Sequence, residues 1–358
     1  MIINNCIIKN FRSYQNSVFE FSEKLTFLRG ANGCGKSNIL EAIYVLSSIK
    51  SFRVTNDEPM VKWGENNYYI CASVKKTGAE SIFEIGYSLD ERKKKVKIDK
   101  IEINTLSNYL GSFLCVVLYP GDIQLIDGPP DNRRRFFDKM ISTVDPEYLI
   151  LLHDMKRILK IRGTLLKNNH QKKDLENWDI LLSEKCYEIT KKRKSFVSEY
   201  SPIFNSIHSE ISDGNFVPEL IYNSELKELS KEEIFERISK NYQRDFLFKS
   251  TLFGSHRDSY TFMINKMFYS NTASQGQKRT ASLSLKIAEK RIVEKKKNEK
   301  AIVLVDDIFT ELDKLRRHNL ISLLGEESQI IIALTDSSEI PETKEVPRIL
   351  DINNVCEY

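Results

Sequence analysis

One octapeptide constrains this chain more than any other stretch: Gly30-Ala31-Asn32-Gly33-Cys34-Gly35-Lys36-Ser37, set in "KLTFLRGANGCGKSNILEAIYVL". The apolar run before it predicts a strand. Ile39, Leu40, Ile43 and Leu46 after it fall on one side of a predicted helix. A glycine-rich turn joining strand to helix, with the spacing Gly-x-x-x-x-Gly-Lys-Ser, is the P-loop pattern in its required context. Phosphate chemistry explains the residue types. Gly30, Gly33 and Gly35 let the backbone turn tightly and aim N–H groups at phosphate oxygens. Ala31, Asn32, Cys34 and Asn38 complete the loop and the first helical turn, and the Cys34 position mainly offers its backbone N–H. The helix N-terminus adds partial positive charge. Lys36 is expected to reach β- and γ-phosphates and to serve catalysis, and the Ser37 hydroxyl to ligate Mg²⁺.

A second stretch, "AIVLVDDIFTELD", supplies acidic partners. Its apolar run before the acids predicts a buried parallel strand ending in Asp306 and Asp307. Asp306 fits the Walker-B carboxylate that holds Mg²⁺, usually through water. Asp307 is then placed to orient or deprotonate an attacking water, with Glu311 as its rival for that role.

The helix start "TASQGQKRTASLSLKIAE" poses a separate question. Ser274 is positioned as an N-cap and Gln277 as its capping-box partner, yet a plain cap does not need Gly276. A hydroxyl, a glycine and free N–H groups together make another anion cradle. One nucleotide needs only one P-loop, so this cradle suits a nucleotide held by a second copy of the chain. A merely capped helix is the bland alternative.

Between these motifs the chain changes character. Its first third is strand-rich, in runs such as "NCIIKNF", "NYYICASVKK" and "IFEIGYSLD", with "LDERKKKVK" as a solvated hairpin turn. From about Asp131 to Lys249 the pattern is helical: Leu151, Leu152, Met155, Ile158 and Leu159, then Leu175, Trp178, Leu181 and Leu182, recur at three- and four-residue steps. Strand signals return near "STLFGSHRDSYTFMI", a helix is expected from about Ser274 to Lys297, and "AIVLVDD" and "QIIIALTD" are strands. The economical architecture is α/β: one ATPase domain from residues 1–130 and 250–358, with a helical lobe of residues 131–249 inserted.

Charge is concentrated in that lobe. Residues 131–200 hold 16 Lys and Arg against 11 Asp and Glu, while the whole chain carries a net charge of only +4. Such an excess is what a phosphate-backbone footprint looks like. The candidates for DNA contact are Arg133, Arg134, Arg135, Lys156, Arg157, Lys160 and Arg162, with Lys172, Lys173, Lys191, Lys192 and Arg193 further along. A solvated helical face is the ordinary alternative for any single lysine, and Arg133 and Arg134 are also suited to structural bracing. No zinc-finger spacing or aromatic stacking motif points to base-specific readout.

Six cysteines without a Cys-x-x-Cys pair argue against a zinc site or disulfide framework and fit a reducing cytosol. No apolar run approaches the roughly 20 residues of a membrane helix, and "MIINNCIIKNF" does not read as a signal peptide. A soluble, cytoplasmic protein with no membrane partner is the expectation.

The motif order, with P-loop first, then an insertion, the Ser-x-Gly helix and the Walker-B strand, resembles the ABC-type ATPases of the SMC-like branch. More narrowly, "NFRSY", "PPDNRRRFFD", "GSHRDSY", "SQGQKRTASLSLKIAE" and "VDDIFTELD" are similar, in order and spacing, to the bacterial RecF family of recombination mediators. The likeness runs from Met1 to about Thr335 and is weakest in the helical middle. It implies an ATP-dependent homodimer that binds duplex DNA next to single-strand gaps, with RecR, RecO and RecA as partners and slow ATP hydrolysis as the reset. It also implies site roles. Arg12 would lie near the nucleotide base or phosphates; Ser274, Gly276 and Gln277 would act in trans; and Asp313 would sit in a loop crossing the dimer interface. Three departures stand out. Pro120-Gly121-Asp122-Ile123 replaces Pro-Glu-Asp-Leu, leaving Asp122 and Gln124 as Q-loop candidates. Ser255 replaces a proline, and Thr335 is the nearest polar residue where transporters place a switch histidine. The rival readings are a transporter nucleotide-binding subunit and a scaffold that binds ATP and barely cleaves it, the latter suggested by Asp307 in place of a longer glutamate.

Overall fold

The structure is a computed structural model that describes residues 1–212, 217–308, 320–325, 327–334 and 346–352. The chain forms two compact units. One comprises Met1–Asp122 and Leu283–Tyr358, the other Ile123–Ser282. In chain order the first unit begins β1 (Ile2–Phe11), β2 (Tyr14–Glu20), β3 (Leu25–Arg29), α1 (Lys36–Ser48), β4 (Asn67–Lys76) and β5 (Ala79–Ser88). It continues β6 (Lys93–Ile98), β7 (Ile101–Glu102), α2 (Leu106–Tyr109) and β8 (Cys115–Leu118). The second unit holds α3 (Gln124–Asp127), α4 (Pro130–Val144), α5 (Pro146–Lys167), α6 (Lys172–Ile211), β9 (Glu219–Asn223), α7 (Lys231–Lys240) and α8 (Tyr242–Phe248). After these come β10 (Ser259–Ile264), β11 (Met267–Phe268), α9 (Tyr269–Thr272) and the start of α10 (Gln275–Lys297). The later part of α10 belongs to the first unit, as do β12 (Ile302–Asp306), β13 (Ile330–Leu334) and β14 (Arg348–Asp351).

Two sheets of different kind build the first unit. An antiparallel sheet runs β2-β1-β4-β5-β6-β7. Its strands alternate: in β4, Tyr68, Ile70, Ala72 and Val74 turn inward while their neighbours face outward. A parallel sheet runs β14-β3-β13-β12-β8. Every residue of β12 and β13 is buried, as their unbroken apolar runs require of strands covered on both faces. Helix α1 packs against strands of both sheets, so Ile39, Leu40, Ala42, Ile43, Val45 and Leu46 are all fully buried. The phosphate-type loop is therefore anchored on a helix that cannot shift without disturbing the core.

The second unit is wider than the lobe of residues 131–249 read from sequence, because residues 123–130 and 250–282 also belong to it. Strand pairing is the reason. The stretch Glu219–Asn223, within the part read as helical, is the strand β9, and it pairs antiparallel with β10 in a three-stranded sheet β11-β10-β9. Tyr260 of β10 stacks on Phe137 of α4, with ring centroids 4.1 Å apart. The "GSHRDSY" segment thus belongs to this unit's core. Five residues are too few for a period-of-two signal to stand out inside a helical stretch.

Candidate nucleotide site and basic surface

The loop after β3 turns through Gly33 (φ +81°) and Gly35 (φ +107°) into α1. Gly35 is doubly required: its φ lies in the left-handed region, and a Cβ there would stand 2.6 Å from the Tyr14 hydroxyl. Lys36 curls back over the loop, its Nζ donating to the carbonyls of Gly30 and Ala31 at 2.8 Å each. The Cys34 Sγ lies 3.9 Å from that Nζ.

The parallel sheet brings distant parts together. With β13 alone between them, β3 and β12 end at the same edge, where open α/β sheets hold their ligands. The Ser37 hydroxyl donates to Asp306 Oδ1 at 2.7 Å, across 269 residues of sequence. Burial pushes the Asp306 carboxyl up to about 6, helped by neighbouring Asp307 and opposed by the Ser37 hydrogen bond, Arg53 and Lys36. A buried carboxylate held next to a hydroxyl is a donor pair for a hard cation. Among the described residues no group of three or more His, Cys, Asp or Glu could hold a metal. Mg²⁺ ordinarily takes much of its shell from phosphate and water. Asp307 follows with φ +50°, an uncommon backbone for a residue other than glycine.

Arg12 (φ +54°) binds Glu41 of α1 with two hydrogen bonds, of 2.9 and 2.7 Å, and the Pro59 carbonyl at 2.7 Å. Glu41 is fully buried, so in this structure Arg12 braces the helix that carries Lys36 and Ser37. Arg53 was not singled out from sequence, since no motif covers it. It donates to Asn38 Oδ1 at 3.0 Å, sits 3.6 Å from Glu41, and its charge acts on Asp306. Asp122 Oδ2 accepts the backbone N–H of Tyr119 at 2.9 Å, which closes its own turn. At Gly121 a Cβ would lie 2.2 Å from the Tyr119 ring, so a larger residue there needs that ring to move. Gln124 is exposed at the start of α3. Glu311, Asp313 and Thr335 lie outside the described residues.

At the start of α10, Ser274 and Gln277 form a reciprocal box. The Ser274 N–H donates to Gln277 Oε1 at 2.7 Å, and the Gln277 N–H to Ser274 Oγ at 3.3 Å. The capped-helix geometry is real, but it leaves Gly276 unexplained. Ser274 and Gly276 are exposed, and a Cβ on Gly276 would meet nothing within 4 Å. Packing therefore does not demand the glycine. The turn is tied down behind it by Lys278, 3.0 Å from Asp127, and by the Tyr269 hydroxyl on the Gln277 carbonyl at 3.3 Å.

The basic candidates sort into two groups, and the first corrects the sequence reading. Arg162 is fully buried: Nε donates to Asp179 at 2.7 Å, Nη1 to Asp245 at 2.6 Å and to the Thr251 hydroxyl at 2.8 Å. Arg193 is equally buried against Asp138, Asp258, the Tyr148 hydroxyl and the Ser255 carbonyl. Neither guanidinium reaches the surface, so neither contacts DNA. Their carboxylates are remote in sequence, at positions 138, 179, 245 and 258, which is why charge counting missed the pairing. Arg133 donates to the carbonyls of Tyr260 at 2.6 Å and Gly128 at 2.9 Å, and Arg134 to the Asp258 carbonyl and to Asp131. Lys192 pairs with Asp145 at 2.5 Å. In the second group, Arg135, Lys156, Arg157 and Lys160 are exposed on α4 and α5 and form no ion pair among the described residues, and the same holds for Lys172, Lys173 and Lys191.

The fold and the paired phosphate-site motifs define an ABC-type P-loop ATPase, built from both ends of the sequence with a largely helical insertion. The family described as "RecF/RecN/SMC N terminal domain" matches residues 2–114. A head domain, "Crystal structure of the SmcHead bound to the C-winged helix domain of ScpA", shares this fold at a TM-score of 0.53 and 18% identity, covering 95% of this chain and 91% of that one. "Structure of the recombination mediator protein RecF-ATP in RecFOR pathway" superposes with a TM-score of 0.88 at 32% identity, covering 95% of this chain and 93% of that one. The "DNA replication and repair protein RecF" of Leptospira interrogans (serovar copenhageni, strain Fiocruz L1-130) is 35% identical over 344 residues, 96% of this chain and 94% of that protein. The chain belongs to the RecF family of DNA replication and repair proteins. Among the described residues no helix is long and apolar enough to cross a membrane.

Proposed function

We propose that this chain is an ATP-gated recombination mediator. Two copies sandwich ATP, the closed dimer grips duplex DNA beside a single-strand gap, and slow hydrolysis reopens it. The observation that carries this reading is the pairing of two glycine-bearing helix starts on one chain. The first has a lysine and an acidic strand end, with Ser37 and Asp306 2.7 Å apart. The second is exposed, with open space over Gly276 and its Lys278 taken up by Asp127, so it suits a phosphate already held elsewhere.

In this reading the backbone of residues 30–35 and Lys36 hold phosphate, and Ser37 and Asp306 hold Mg²⁺, which supplies charge neutralisation at the phosphates. Asp307 orients the attacking water, with Glu311 as the other candidate, and Asp313 serves the interface. Ser274, Gly276 and Gln277 close on the partner copy's nucleotide. Arg12 acts through α1 by its pairing with Glu41. DNA stimulates a weak ATPase because grip and closure are coupled by ATP's differential affinity for the closed dimer. Arg135, Lys156, Arg157 and Lys160 meet the DNA backbone, and Arg133 and Arg134 brace the lobe internally through the carbonyls of Tyr260 and Asp258. Following the family, RecR and RecO cooperate with the clamp to load RecA.

The test compares two substitutions. Ser274→Arg leaves ATP binding by the monomer nearly intact and abolishes ATP-induced dimerisation, while Lys36→Met loses both. Equal loss of monomer nucleotide binding in the two variants would show that the α10 turn acts in cis.

A further inference from the structure

We infer that the open groove beside the C-terminal half of α5 seats backbone phosphates of duplex DNA, with Gly163 as its floor. The inference rests on the DNA-binding reading above and extends it from Lys156 and Lys160 to Gly163, Lys167, Lys249 and Arg257, which that reading does not use. The groove has a volume of ≈ 410 Å³, and its rim carries Lys160, Lys167, Lys249, His256 and Arg257. None of the residues that line it is acidic.

Among the described residues, the rim cations belong to the unpaired set of this unit, with Arg135, Lys156, Arg157, Lys172, Lys173 and Lys191, and contrast with its paired lysines. Lys185, Lys192, Lys194 and Lys231 of the same unit each have a carboxylate within 4 Å, at 2.8, 2.5, 2.6 and 3.8 Å respectively. Lys160 and Lys167 have none among the described residues. Lys249 is held by neutral groups, the Asn169 side-chain oxygen at 2.6 Å and the Phe246 ring at 3.7 Å from its centroid. Arg257, in the "GSHRDSY" segment, is exposed and spends one N–H on the Thr251 carbonyl at 3.3 Å. The positive charge of all four is therefore not neutralised, and that of Lys249 and Arg257 is held in place as well, which suits an anion seat.

Gly163 supplies an independent argument. Lys156, Lys160, Gly163 and Lys167 follow one another at four-, three- and four-residue steps, which is one helical face. A glycine inside a helix destabilises it relative to alanine. Here nothing inside the protein asks for one, since a Cβ would meet no atom within 4 Å. The missing side chain does one thing: it lets another backbone approach the helix closely between two uncompensated lysines. Lys156 continues the row toward the N-terminus of α5, so a strand of phosphates could track along it.

The experiment uses the full chain with ATP and a fluorescently labelled blunt duplex, titrated over a range of salt concentrations. Gly163→Ala should raise or preserve Tm and weaken duplex binding several-fold, a combination that a structural role for the glycine does not produce. Lys160→Ala and Lys167→Ala should each reduce the slope of log affinity against log salt by about 0.9, equally for different sequences. Lys194→Ala, whose lysine is neutralised by Glu228, should leave the slope unchanged. Wild-type affinity and slope in Gly163→Ala and Lys167→Ala would overturn the groove assignment alone. Failure of the wild type to bind the duplex in any nucleotide state would overturn the DNA reading, and the groove with it.

Discussion

Replacing Arg162 with methionine separates a structural arginine from a DNA-binding one. The side chain is fully buried between Asp179 and Asp245, each about 1% exposed, and hydrogen-bonds both at 2.6–2.7 Å. Removing it strands two buried carboxylates. Breaking a buried pair from one side costs about 3–5 kcal/mol. For a unit the size of Ile123–Ser282, 1 kcal/mol corresponds to about 2–4 °C, so Tm should fall by roughly 6–20 °C. The loss should also depend on pH. Burial already holds the Asp179 carboxyl above its ordinary value with Arg162 in place, and without the arginine it rises further. A carboxyl whose folded pKa exceeds its unfolded one contributes stability below the unfolded pKa and loses it as pH climbs through the folded value. The Tm deficit should therefore shrink at about pH 5 and widen at about pH 8. Scanning calorimetry at the two pH values measures this. Duplex affinity, taken well below the variant's Tm, should match wild type. A Tm within about 2 °C of wild type together with lost DNA binding would refute the burial argument and restore Arg162 as a contact.

Gly35→Ala should destabilise the chain and abolish nucleotide binding, because the new Cβ meets the Tyr14 hydroxyl at 2.6 Å and the backbone sits at φ +107°; isothermal titration with ATP checks it, and retained affinity would mean that the loop can re-form. Tyr14→Phe should be neutral or stabilising, by up to about 1 kcal/mol, since that buried hydroxyl has no partner among the described residues and leaves nothing unsatisfied when removed; a clear fall in Tm would show a hidden partner. Burial lowers His208 from 6.5 to about 4. Between those values the unfolded chain takes a proton that the folded chain refuses, so stability falls by about 2 kcal/mol on acidification to about pH 5. His208→Phe, packed on Phe204, should flatten that part of the pH–Tm profile.

Much of the candidate site's geometry was legible because its pattern is local. The glycines, Lys36 and Ser37 are adjacent in sequence, and the unbroken apolar run of β12 announces a buried parallel strand with acids at its end. The capping box at Ser274 was equally readable, since its partners lie three residues apart. What sequence did not show depends on long-range neighbours. Arg162 and Arg193 read as part of a basic surface until Asp179, Asp245, Asp138 and Asp258 fold onto them. Gly121 read as a departure from the family pattern, and the Tyr119 ring that crowds it becomes visible only in the fold. Arg53 carries no motif, and its place beside Asn38 is set by the turn after α1. The boundary between the units moved because β9, five residues long, claims β10 as its partner.

The central claim is that a P-loop from one copy and the α10 turn from another meet on one nucleotide. Mixing two inactive variants tests it directly. Lys36→Met keeps an intact α10 turn, and Ser274→Arg keeps an intact P-loop. Each alone should sediment as a monomer with ATP. Mixed, they form a heterodimer in which one composite site has both intact halves, so ATP-dependent dimer and DNA-stimulated hydrolysis should reappear. A mixture no more active or dimeric than either variant alone would place both motifs on the same nucleotide within one chain and contradict the account.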